Sequence, residues 1–93
     1  MDWEEHDRME RALFEEKSLT ALIALIGAGR ELEFSYRETE GFISCAGSQK
    51  YASLWIGGQE QSFASVEALV CRAMLPQGTF ASLWDEIDIK TLF

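Results

Sequence analysis

The sequence predicts an α+β domain, and three observations predict it. Apolar residues recur at helical spacing up to Ile26, alternate with a period of two from Leu32 to Ile56, and return to helical spacing from Phe63 onward. Glycines mark the places where the period changes, Gly27 and Gly29 before the alternating region and Gly57-Gly58 after it. With 93 residues, 47% of them hydrophobic and 12% aromatic, residues 1–93 make one domain with a single core. The expected order is an N-terminal helix, a three-stranded antiparallel meander, one longer and one short helix, and a short C-terminal strand or extended tail. The helices pack on one face of the sheet.

Residues 1–28 form the helical N-terminal region. Glu4 with Arg8 and Asp7 with Arg11 are i,i+4 pairs in the favourable acid-first order, and no Gly or Pro precedes Gly27. Met9, Ala12, Leu19, Leu22, Ile23 and Ile26 project to one side and make a core-facing stripe. Glu15-Glu16-Lys17 interrupts it and Ser18 has the chemistry of a cap, so the region is either one helix with a weak point or two in succession. Gly27-Ala28-Gly29 ends it. As a nucleotide loop GAG fails, because it follows a helix and precedes a strand, the reverse of the phosphate-binding order.

Residues 31–57 form the meander. Leu32, Phe34 and Tyr36 alternate with Glu33, Ser35 and Arg37, which is the pattern of a half-buried strand with a charged outer face. Glu38 to Gly41 reads as a turn, Phe42 to Ala46 as a more central strand, and Gly47 to Lys50 as the next turn. YASLW at 51–55 opens the third strand, with Tyr51, Ser53 and Trp55 on one face and Ala52, Leu54 and Ile56 on the other.

The near-copy FASLW at 80–84 has different flanks, and the two pentapeptides are not a repeat. Residues 62–86 read as a helical pair. Phe63, Val66, Leu69, Val70, Ala73 and Met74 fit helical spacing with Ser62 or Ser65 as cap, until Pro76 stops the helix. Thr79 caps a second short helix in which Phe80, Leu83, Trp84 and Ile87 share a face. Residues 87–93 return to alternation.

Sixteen acids against eight bases give a net charge of −8. That argues against direct binding to nucleic acid or anionic membrane, both of which need Lys and Arg to displace counterions, and it favours a basic protein partner or simple solubility. The acidic start MDWEEHDRMER lacks the basic character of a signal peptide, and the apolar run from Leu19 to Ile26 is too short to cross a bilayer, so the expected location is cytoplasmic. Cys45 and Cys71 have no CxxC spacing and read as buried, reduced thiols.

No catalytic or cofactor motif is present in this pattern of residues. His6, the single histidine, lies near the N-terminus; with Asp2 and Glu10 it shares one helical face, a spacing an exposed charged helix also gives, and no metal or cofactor is expected. Asp85, Glu86 and Asp88 bring no second catalytic group with them. Trp84 fits the core, Trp55 fits either sheet face, and Trp3 lies off the core stripe and is expected to be exposed. The expectation is a protein that is not an enzyme.

ELEFSYRETEGFISC, the QSF-S-EAL stretch at 61–69 and G-F--LWDEIDI at 78–89 resemble small acidic α+β proteins of Gram-positive bacteria and their mobile elements, over residues 30–93. The layout of a helix, a three-strand meander and further helices with strong negative charge is similar to that of some anti-CRISPR inhibitors, which imitate nucleic acid and occupy the basic groove of an RNA-guided nuclease. This second likeness is one of layout and carries no residues across. It implies an acidic protein-binding inhibitor that occludes a basic, nucleic-acid-binding surface of a partner. The alternative is a small structural or regulatory subunit, acidic only for solubility, monomeric or a homodimer through a strand edge. For the first, the partner-binding residues are Glu31, Glu33, Glu38 and Glu40 on the outer face and turn of the first hairpin, with Tyr36 and Trp55 as anchors.

Overall fold

The computed structural model describes residues 2–46 and 51–93, and the turn expected over 47–50 lies outside the described residues. The N-terminal region is two helices, α1 (Trp3–Glu16) and α2 (Leu19–Gly27). Asp2 caps α1 by accepting a hydrogen bond from the Glu5 amide at 2.8 Å, and Ser18 caps α2 by accepting from the Ala21 amide at 3.1 Å. Between them Lys17 takes a left-handed conformation, φ 52°, which turns the chain within two residues. The tryptophan of the C-terminal segment holds this corner: the Trp84 indole donates to the Lys17 carbonyl at 2.7 Å, and the Lys17 ammonium lies 5.2 Å from the ring centroid. Helix α2 ends with Gly29 at φ 99°, the Arg30 amide donating to Leu25 and the Gly29 amide to Ile26. This paired closure satisfies two of the last carbonyls of the helix and favours glycine at that position.

Four strands follow in succession, β1 (Leu32–Tyr36), β2 (Thr39–Ala46), β3 (Tyr51–Ile56) and β4 (Gln59–Phe63). The chain then forms α3 (Val66–Arg72), a small hairpin of β5 (Met74–Leu75) and β6 (Gly78–Thr79), and a 3₁₀ turn over Trp84–Glu86. The C-terminal segment β7 (Ile87–Leu92) returns to pair with β1. The main sheet thus has five strands in the spatial order β4-β3-β2-β1-β7, with every pair antiparallel. The fold class is α+β, as the change of period indicates, but the layout departs from the expected one in three places.

First, the chain between β1 and β2 turns at Arg37-Glu38, with Tyr36 paired to Thr39, so Glu40 and Gly41 belong to β2 instead of a four-residue turn. Arg37 supplies the left-handed conformation, φ 55°. Second, Gly57 and Gly58, at φ 57° and 81°, join β3 to a fourth strand rather than ending the sheet, and Phe63 sits in that strand. Two consecutive left-handed residues give the tight hairpin whose twist suits antiparallel strands. Third, the helical pair over 62–86 is shorter than expected. Ser65 caps α3 through the Ala68 amide at 3.0 Å, but α3 stops at Arg72, and Phe80 to Leu83 form turns, so Ile87 enters the sheet.

The core lies on one side of the sheet. Leu32, Phe34 and Tyr36 of β1, Ile43 of β2, Ala52 and Leu54 of β3 and Ile87 of β7 are buried with Leu22, Leu25 and Ile26 of α2 and Leu69 and Val70 of α3. Phe80 packs edge-on against Phe34, with ring centroids 5.5 Å apart, and leads on to Trp84. The hairpin of β5 and β6 is tied to β4 by the Gln61 side chain, which donates to the Met74 carbonyl and accepts from the Met74 amide, both at 2.8 Å. Trp84 is buried and Trp3 is exposed, as their positions on the helical stripes indicate.

Candidate functional site

Because successive strand residues point to opposite sides, burying Leu32, Phe34 and Tyr36 under the helices turns Glu33 and Ser35 to the other face. Register carries this parity across the sheet. Glu33 is opposite Phe42, Phe42 opposite Trp55, Trp55 opposite Glu60, and on the other side Glu33 is opposite Thr91. One row across five strands thus reads Glu60, Trp55, Phe42, Glu33, Thr91, two aromatic rings flanked by two carboxylates. The next row is built of small hydroxyls, Ser62, Ser53 and Ser44, of which Ser53 and Ser62 bond to each other at 3.0 Å. In the row on the opposite side Glu40 faces Ser35, which faces Asp88.

Among the described residues no helix roofs the aromatic side chains on this face. Trp55 is 41% exposed and Tyr51 42%, and Phe42 leans against the 56%-exposed Phe93 with centroids 6.2 Å apart. Glu33, Glu40, Phe42 and Trp55, with Gly41 and Gly58, line a cleft of about 190 Å³. Glu33 accepts a long hydrogen bond from the Thr91 hydroxyl, 3.4 Å, and among the described residues neither Glu33 nor Glu40 is paired with a base.

The six residues expected to bind a partner are therefore divided by the structure. It brings Glu33, Glu40 and Trp55 together on the open face. Glu31 is exposed just outside β1, at the corner where its backbone exchanges two hydrogen bonds with Phe93. Glu38 lies in the two-residue turn at the far end of β1, beside Arg37, in a separate groove with Thr39, Pro76 and Gln77. Tyr36 is no surface anchor: it is 1% exposed on the helix-facing side, and its hydroxyl donates to Gln77 Oε1 at 2.7 Å. It has the parity of Leu32 and Phe34, which fixes it in the core. Phe42 and Glu60 join the site although the sequence pattern singles out neither; the register set by a turn at Arg37-Glu38 places Phe42 opposite Glu33, and β4 supplies Glu60.

The other polar residues singled out in the sequence lie away from this face, apart from Asp88. Asp2 is spent on the α1 cap, and Arg30 places its guanidinium against His6 and Glu10, 2.6 Å from the Glu10 carboxylate. A cation of the chain is thus bonded to two of the three residues, His6 and Glu10, that with Asp7 could offer ligand atoms to a metal. Arg30 also donates through Nε to the Phe93 carbonyl, which joins α1 to the C-terminal strand. Glu86 pairs with Arg37 at 3.3 Å, and Asp88 stands on the open face. Both cysteines are free thiols, but Cys45 is half-buried and Cys71 is exposed on α3, so neither is fully buried as expected. Among the described residues, no helix is long and apolar enough to cross a membrane.

Comparison of the chain with protein-family models, with curated proteins and with solved structures returned no match.

Proposed function

We propose that the chain is a non-enzymatic, acidic protein-binding inhibitor that uses the open face of its sheet to cover a basic, nucleic-acid-binding surface of a partner protein. The observation that carries this reading is the row Glu60, Trp55, Phe42, Glu33, in which two rings fill the middle of an uncovered sheet and carboxylates stand at either side. Central aromatics with charged residues around them are the composition of a docking surface, where the rings supply area and the charges supply orientation and speed of encounter. A sheet is also a rigid support, so little ordering cost falls on association. The net charge of −8 strengthens the field at this face.

The proposed surface differs from the outer face and turn of the first hairpin expected from sequence: it centres on Trp55 and Phe42, with Glu33, Glu40 and Glu60 around them, while Glu31 lies at the corner beside Phe93 and Glu38 in a separate groove. The test is affinity capture from lysate of the source organism. The wild-type chain and an α1 variant, Glu4→Lys with Glu5→Lys and Glu15→Lys, retain a basic protein, whereas Glu33→Lys with Glu40→Lys and Glu60→Lys loses it. Equal capture by both variants removes the open face as the docking surface. The alternative, a structural subunit that pairs with its own copy, draws on the outer edge of β4, the last strand of the sheet. It predicts a concentration-dependent dimer that survives charge reversal on the face.

A further inference from the structure

We infer that the cleft lined by Trp55, Phe42, Glu33 and Glu40 receives an arginine side chain of the partner protein, its guanidinium stacked on an aromatic ring and bonded to Glu33 and Glu40. This rests on the proposed docking face and names the chemistry at its centre. The cleft combines two features that attract the same kind of ligand. Aromatic faces carry a negative quadrupole that draws cations, and Trp is the strongest of the ring types. Carboxylates supply full charges and acceptor oxygens. Here both features line one space of about 190 Å³, with Phe42 directly opposite Trp55 in the register, Glu33 directly opposite Phe42 and Glu40 two residues before Phe42 in β2.

Charge complementarity commits the occupant to a cation. Among the described residues no base forms an ion pair with Glu33 or Glu40; across the sheet Glu33 stands between Phe42 and Thr91, and Glu40 faces Ser35. An apolar side chain inserted here would strip water from two carboxylates and return no hydrogen bond. An anion would be repelled by the carboxylates and by the faces of the rings. Between the two basic side chains, the shape selects arginine. A guanidinium is flat, stacks on a ring and donates in its own plane to carboxylates at two sides, whereas an ammonium is a compact point charge that holds its water more strongly.

The test uses the full chain labelled with ¹⁵N and three blocked tripeptides of sequence Gly-X-Gly, in which X is arginine, lysine or the neutral isostere citrulline. The readout is the indole N–H resonance of Trp55, assigned by its disappearance in Trp55→Phe. The arginine peptide shifts this resonance saturably, the lysine peptide binds more weakly by at least about fivefold, and citrulline produces no saturable shift. The double variant Glu33→Gln with Glu40→Gln keeps the dispersed spectrum of the folded chain and loses the arginine response. A missing arginine response, equal responses to arginine and lysine, a citrulline response, or a response unchanged in the double variant each overturns the inference. Failure here is separable from failure of the docking face: if lysate capture is still abolished by charge reversal at Glu33, Glu40 and Glu60, the face stands and the arginine assignment alone falls.

Discussion

Replacing Gly41 by alanine tests the packing on which the open face rests. Gly41 lies opposite Phe34 in the pairing of β1 with β2, and a Cβ built on it would come within 2.2 Å of Phe34 Cζ, 2.6 Å of Cε2 and 2.7 Å of Cε1. Carbon atoms rest about 3.5–4.0 Å apart, so the ring must retreat by more than about 1 Å. It has no free direction, because Phe34 is fully buried and its ring meets Phe80 edge-on. Overpacking of this kind costs about 1–3 kcal/mol, and the rigid neighbour puts Gly41→Ala at the upper end. The smaller freedom of alanine in the unfolded chain offsets about 0.4–1 kcal/mol, which leaves a net loss of about 2 kcal/mol. For a domain of this size that lowers the melting temperature by about 10 °C. Urea denaturation followed by circular dichroism measures it, and the Phe34→Leu background supplies the control: with the ring gone, the added methyl has space, so the cost of Gly41→Ala falls below about 1 kcal/mol. A Gly41→Ala variant whose stability lies within about 0.5 kcal/mol of wild type, or an equal loss in both backgrounds, would refute the proposed contact.

Two further substitutions report on other parts of the structure. Trp84→Phe keeps most of the buried ring but leaves the Lys17 carbonyl without its indole donor, and unfolding by urea should show a loss of about 1–2 kcal/mol with partner capture retained. Tyr36→Phe removes the hydrogen bond to Gln77 at the helix-facing side, so it costs about 0.5–1.5 kcal/mol in the same measurement and leaves capture unchanged; a selective loss of capture at unchanged stability would return Tyr36 to the docking surface.

The parts of the fold that are legible in the sequence are those where burial writes a period. Leu32, Phe34 and Tyr36 alternate because one face of β1 is covered, and Ser18 and Ser65 stand at helix starts because a hydroxyl satisfies a free amide there. Strand β4 is not legible. Its residues Gln59 to Phe63 carry one large apolar side chain, since an edge strand beside a polar face has little to bury, and Gln61 uses its helix-side position to bond the Met74 backbone instead of filling the core. Gly41 misleads in a similar way. Glycine before an apolar run suggests a turn, but this one is small because the Phe34 ring lies against it, while the turn itself uses Arg37 and Glu38, which lack the usual turn signature. The helical spacing from Phe80 to Ile87 reflects apolar residues meeting the core through turns and a short 3₁₀ segment, in which i and i+3 also share a side.

For the site, the parity of Glu33 is readable and the company it keeps is not. Tyr51, Ser53 and Trp55 form one face of β3 and Ala52, Leu54 and Ile56 the other, and within the strand alone both faces can carry a tryptophan. Pairing of Ile43 with Leu54 decides it, because two buried aliphatic residues opposite each other turn Phe42 and Trp55 outward together.

The most direct test of the proposed docking face is the association rate constant of the chain with the protein it captures, measured by stopped-flow mixing over a range of salt. Glu33, Glu40 and Glu60 surround the rings at the centre of the face, so reversal of all three to lysine should slow association by about tenfold or more at low salt and flatten the salt dependence. Reversal of Glu4, Glu5 and Glu15 on α1 should change the rate by less than about threefold, through net charge alone. A face variant that associates as fast as wild type, with the same dependence on salt, would contradict the account.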